Sequence, residues 1–99
     1  MVRYGTTSID RRDVLADISE GGVCIRTDDV YPVGTQLQML IEFPDRTVHQ
    51  RGEVMWAIRV PEHQRDSMLH GMGIQFIDPE PGWSAYFRST RAQLASKDG

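Results

Sequence analysis

Thr35-Gln36-Leu37-Gln38-Met39-Leu40-Ile41-Glu42-Phe43 alternates with a period of two. Leu37, Met39, Ile41 and Phe43 fall on one face, while Gln36, Gln38 and Glu42 fall on the other, as in a strand buried on one side and wet on the other. Phe43-Pro44-Asp45-Arg46-Thr47 reads as a tight connection. A second alternating run follows, from Thr47 to Val60. It places Val48, Gly52, Val54, Trp56, Ile58 and Val60 inward, with His49, Arg51, Glu53 and Arg59 outward. A strand this long is of the kind small barrels use to coil and close, with Gly52 marking the bend.

Upstream, Arg11–Ser19 and Val23–Thr27 form a second hairpin through Glu20-Gly21-Gly22, whose glycines are expected to supply positive φ at the turn. Alternation puts Val14, Ala16 and Ile18 toward the core and Asp17 and Ser19 outside. Val2–Thr7 makes a first strand. Met72, Ile74 and Phe76, alternating with Gly71, Gly73 and Gln75, make a last one. The prediction is an all-β fold, a six-stranded antiparallel barrel over about residues 2–78. Its core would hold Leu37, Met39, Ile41, Val54, Trp56, Ile74 and Phe76. Asp78-Pro79-Glu80 reads as an N-cap followed by proline in a first turn. Trp83, Tyr86, Phe87 and Leu94 keep helical spacing, which predicts a C-terminal α-helix over about residues 79–96. That apolar stripe has to be covered, by the barrel or, failing that, by a protein partner or a second copy in a homodimer. Pro61 to His70 shows no periodicity and is expected to be a loop.

The 99 residues make a single domain. A net charge of −3 argues against a polymeric nucleic acid as partner, since phosphate neutralisation needs a basic surface. Cys24 is the only cysteine and has no internal disulfide partner, which points to a reducing, cytoplasmic setting. No apolar run reaches membrane-spanning length, so no membrane insertion is expected. His49, His63, His70 and Cys24 lack metal-ligand spacing. Asp17 and Ser19 come with no Gly-x-Ser-x-Gly elbow and no assignable histidine base. Asp28-Asp29 reads as solvated, and no phosphate-cradling loop opens a helix. Binding is therefore expected, not catalysis, without a metal or cofactor.

Asp17-Ile18-Ser19-Glu20-Gly21-Gly22 is the stretch left for recognition. Its residues alone leave two readings open. Short polar side chains on an outer wall, beside a glycine, suit a flat polar ligand. Alternatively, Asp17 and Ser19 bond their own backbone in a turn. Asp17-x-Ser19-x-x-Gly22 resembles the Asp/Asn-x-Ser-x-x-Gly motif of PilZ domains, bacterial receptors for cyclic di-GMP. Val2-Arg3-Tyr4-Gly5-Thr6 resembles that family's first strand, and Tyr31-Pro32-Val33-Gly34-Thr35 its turn into the middle strand. Gly52-Glu53-Val54-Met55-Trp56 and Gly71-Met72-Gly73-Ile74-Gln75-Phe76 resemble its later strands, in order across nearly the whole chain.

The resemblance implies a barrel with a C-terminal helix, a non-catalytic signalling role and cyclic di-GMP as ligand. Asp17 and Ser19 would bond guanine edges, and Gly22 would give close backbone access. The family's second element, an Arg-x-x-x-Arg arm, does not occur ahead of Asp17 in this sequence. Guanidinium groups suit that role because they bond guanine bidentately, neutralise phosphate and stack on bases. Arg3, Arg11, Arg12 and Arg26 are the candidates to stand in. Arg11 shares the face of Asp17 but lies roughly 20 Å along the strand, while Arg12 starts on the opposite face. Weak or lost nucleotide binding is expected. The alternative is an adaptor acting through protein contacts in motility or pilus regulation. An oligonucleotide-binding barrel would need exposed aromatics on a basic groove, which an inward Trp56 and Phe76 do not provide.

Overall fold

The computed structural model describes residues 1–59 and 70–98, with helix side chains as far as Thr90. The strands are β1 (Val2–Gly5), β2 (Arg11–Ile18), β3 (Gly22–Arg26), β4 (Gln36–Glu42), β5 (Thr47–Ile58) and β6 (Gly71–Ile77), followed by helix α1 (Trp83–Asp98). They close into a barrel in the order β1-β2-β3-β6-β5-β4, every neighbouring pair antiparallel. Val2, Tyr4, Ile25, Leu37, Met39, Ile41, Val54 and Met72 fill its interior. The expected loop from Pro61 and the inward Val60 lie outside the described residues, apart from His70.

The alternation read for β4 holds throughout. On β5 it holds as far as Val54, where Met55 is inserted as a β-bulge: Val54 pairs with Ile74, but Trp56 pairs with Gly73. One extra residue exchanges the two faces of a strand. Ala57 therefore packs on the core, and Ile58 is 40% exposed. Trp56, expected in the core, turns out onto the outer wall. The same happens on β2, where Leu15 pairs with Ile25 and Asp17 with Cys24, leaving Ala16 as the bulge. Leu15 packs on the core, whereas Val14, expected inside, is 57% exposed and Ala16 is exposed with it. The bulge also reverses the arginines: Arg12, not Arg11, shares the outer face with Asp17.

One end of the barrel is sealed by polar groups. The Tyr4 hydroxyl, fully buried, donates to Asp13 Oδ2 at 2.6 Å. Burial first, and then that bond, push its pKa up to about 12. Arg11 lies 4.0 Å over the Tyr31 ring and donates to the Asp29 carbonyl at 2.6 Å, with its carboxylate at 3.1 Å. Toward the helix-capped end, Gln50 points into the core, its Oε1 accepting the Glu80 N–H at 3.3 Å.

The other end is closed by α1, which starts at Trp83 and not at Pro79. Glu80 precedes Pro81, which disfavours helical backbone, and Gly82 takes a φ of +88° that only glycine adopts readily. The Asp78 cap is therefore not used. Trp83 is 3% exposed and packs against Phe43, Phe76 and Phe87, with Tyr86 at the cluster's edge. The Tyr86 hydroxyl donates to Asp45 at 2.5 Å, and Arg46 stacks on its ring at 4.1 Å. The apolar stripe is thus covered by the chain's own barrel, as far as its side chains are described. Leu94 lies beyond them.

Candidate functional site

The two bulges assemble one row of residues across four strands. Asp17 on β2 pairs with Cys24 on β3, Cys24 with Gly73 on β6, and Gly73 with Trp56 on β5. All four face outward. They line a shallow depression of about 440 Å³ together with Ser19, Gly22 and Gln75. Asp17 stands at one end of the row and the Trp56 indole at the other. Gly73 makes room for that indole: a Cβ there would come within 1.9 Å of Trp56 Nε1. Burial, then the charge of Asp17, push the Cys24 thiol up, and Arg26 pulls the other way. A thiol so placed stays neutral and adds polarisable surface, not charge.

The motif turn makes backbone bonds of its own. Asp17 Oδ1 accepts the Ile18 N–H at 2.9 Å. The Gly22 carbonyl accepts from Ser19 twice, from N–H at 2.8 Å and from Oγ at 3.3 Å. Both readings left open by the residues therefore coexist: the side chains stand on the outer wall, and they are bonded to their own turn. Neither Gly21 nor Gly22 takes positive φ, contrary to expectation. What Gly22 supplies is proximity of strands, since a Cβ there would sit 2.2 Å from the Ile74 carbonyl oxygen.

The four arginines divide. Arg3 is paired with Glu42 at 3.0 Å, toward β4, and Arg11 is held by Asp29 at the barrel's sealed end. Arg12 and Arg26 are exposed and form no ion pair with a described residue. Arg26 pairs in register with Val14 and lies two residues along β3 from Cys24, about 7 Å from the central row. Arg12 lies farther along the same wall.

Sequence reasoning missed Trp56, Gly73, Cys24 and Gln75 as lining residues. The available signal was Gly71-x-Gly73, glycines inside a strand that mark close approach by another group. With Trp56 outside, one ground for setting aside a single-stranded nucleic acid falls. Yet among the described residues Trp56 is the lone aromatic lining this depression, and a stacking track needs several on a basic groove. Among the described residues no group of three His, Cys, Asp or Glu side chains is placed to hold a metal. No described helix is long and apolar enough to cross a membrane.

Comparison with curated proteins and with solved structures returns no match. The PilZ domain profile matches residues 3–83, from the first strand to the first residue of the helix. With the closed barrel, the capping helix and Asp17-x-Ser19-x-x-Gly22 on its outer wall, the chain belongs to the PilZ domain family, whose members are receptors that bind cyclic di-GMP as a ligand.

Proposed function

We propose that this domain is a non-catalytic cyclic di-GMP receptor whose ligand lies across the outer wall of β2, β3, β6 and β5, and that these 99 residues bind it weakly. The row from Asp17 through Cys24 and Gly73 to Trp56 carries the reading. It sets a carboxylate and an indole on one side of one sheet, about two strand spacings, roughly 10 Å, apart because the indole leans over Gly73. A guanine edge offers N–H donors to the Asp17 carboxylate and O6 or N7 as acceptor to the Ser19 hydroxyl, and the indole offers a stacking face worth about 1–3 kcal/mol per base. Arg26, two residues along β3 from the row, is in place to meet a phosphate.

Weak binding follows from charge. The ligand brings two phosphates to a chain of net charge −3. Each charge-assisted hydrogen bond contributes about 1.5–3 kcal/mol, and among the described residues only Arg12 and Arg26 are placed to make any. Neither is held in position by an ion pair with a described residue, so binding must also order their side chains. The single Cys24 fits a cytoplasmic setting. A second reading, an adaptor for protein contacts in motility or pilus regulation, draws on Val14, Met55 and Ile58, which are apolar and exposed beside the same depression. Trp83, Tyr86 and Phe87 of the helix stripe already pack on the barrel, so a homodimer through them is not part of the proposal.

Titration calorimetry with cyclic di-GMP tests the reading. The chain should bind in the high-micromolar range, and Asp17→Ala and Arg26→Ala should each weaken binding about tenfold or more. Submicromolar binding, or binding indifferent to Asp17→Ala, would contradict it.

A further inference from the structure

Glu20 sits at the tip of the motif turn, between Ser19 and Gly22, and helix α1 holds it from two sides. The Trp83 indole N–H donates to the Glu20 carbonyl at 2.8 Å. The Arg88 guanidinium donates to the Glu20 carboxylate at 2.8 and 3.4 Å. The next carbonyl, that of Gly21, accepts the Phe76 N–H at 2.9 Å, and the Phe76 ring packs edge-on against Trp83 at 5.5 Å. Trp83 is buried in the aromatic cluster that closes the barrel, so the helix cannot shift there without pulling on the turn. Inside the turn, the Ser19 hydroxyl and N–H are both committed to the Gly22 carbonyl. A ligand acceptor that takes the Ser19 hydroxyl proton must displace its bond to the Gly22 carbonyl, and the two Glu20 anchors resist the opening.

We propose that α1 is a latch on the motif turn through Glu20, so that ligand engagement at Asp17 and Ser19 and the seating of the helix oppose each other. The proposal rests on reading the outer wall as the cyclic di-GMP site. Coupling of this kind is reciprocal: if the seated helix weakens ligand binding, bound ligand loosens the helix by the same factor. The domain then reports occupancy at its wall by a change at its C-terminal helix.

Arg88→Gln removes one anchor without touching the depression or the core, since Arg88 is exposed. Native-state hydrogen exchange at the Ser19 amide, which is bonded to Gly22, reads opening of the turn without any ligand. That exchange should quicken about two- to fivefold, the range expected for an exposed ion pair, while the Met39 and Ile41 amides of β4 keep their rates. The dissociation constant for cyclic di-GMP, followed by calorimetry, should fall by the same factor. Trp83→Phe, which keeps a ring but loses the donor, should open the turn further. Tyr86→Phe, whose hydroxyl bonds Asp45 and not the turn, should leave Ser19 unchanged. Unaltered Ser19 exchange in both Arg88→Gln and Trp83→Phe overturns the latch, whether or not nucleotide binds. Quickened exchange with unaltered or weaker binding overturns the opposition between helix and ligand. If neither wild type nor Arg88→Gln binds the nucleotide, the receptor reading falls, and Ser19 exchange still decides the link between turn and helix.

Discussion

Replacing Gly22 with alanine separates two roles that a motif glycine can have, ligand access and strand packing. The added Cβ would lie 2.2 Å from the Ile74 carbonyl oxygen, 3.2 Å from its carbon and 3.3 Å from Gln75 Cα, more than an ångström inside ordinary contact with the first. These are backbone atoms of β6, which cannot swing aside as a side-chain tip can. Gly22 pairs with Gln75 and Val23 with Ile74, so the strain falls on the β3–β6 ladder that completes the closed barrel. Overpacking of this sort costs about 1–3 kcal/mol. Reduced freedom of the unfolded chain returns about 0.4–1 kcal/mol. Gly21 is the internal control: a Cβ there meets nothing within 4 Å, and its φ is not positive. Gly21→Ala should be neutral or stabilising, leaving Gly22→Ala about 1–3 kcal/mol less stable than its neighbour. Urea unfolding followed by tryptophan fluorescence measures the gap. Equal midpoints would show that the ladder does not need Gly22, and would return that residue to ligand access.

The two tryptophans should part company in the same assay. Trp83→Ala should cost about 3–5 kcal/mol and Trp56→Ala less than about 1.5 kcal/mol; the reverse order would refute the Met55 bulge. Tyr4 should make stability fall in alkali. Its folded pKa of about 12 lies above the ordinary 10.0, so the stabilisation is complete below pH 10 and drains away as pH rises toward 12. The loss is on the order of 2–3 kcal/mol at about 1.4 kcal/mol per pH unit, and Tyr4→Phe should lack that part of the slope. Parallel pH profiles for wild type and Tyr4→Phe would contradict the buried Tyr4–Asp13 pair.

The barrel was legible because β4, the first half of β5 and most of β6 keep strict alternation, and a register slip there would expose the whole apolar set. The helix was legible from Trp83, Tyr86 and Phe87, although its start was not. Proline and glycine at 81 and 82 were a stronger stop signal than Asp78 was a start. The bulges were hidden because each lies in a run of consecutive apolar residues, Val14-Leu15-Ala16 and Val54-Met55-Trp56-Ala57-Ile58. In such a run either phase gives an apolar inward face, so alternation alone cannot register the extra residue. The same concealment governed the site. Asp17 and Ser19 stood out by their motif, but Trp56 and the face of Arg12 depended on bulges that only strand pairing exposes.

The measurement that bears most directly on the outer wall as the ligand site is a cyclic di-GMP titration followed by amide and indole nitrogen–proton resonances. The amides of Asp17, Cys24 and Gly73 and the Trp56 indole should move together along one binding curve, because they form one row of one sheet. Resonances on the opposite wall, at Arg3 on β1 and Gln38 on β4, should stay in place. Shifts gathered on that opposite wall, or none anywhere up to millimolar nucleotide, would contradict the account.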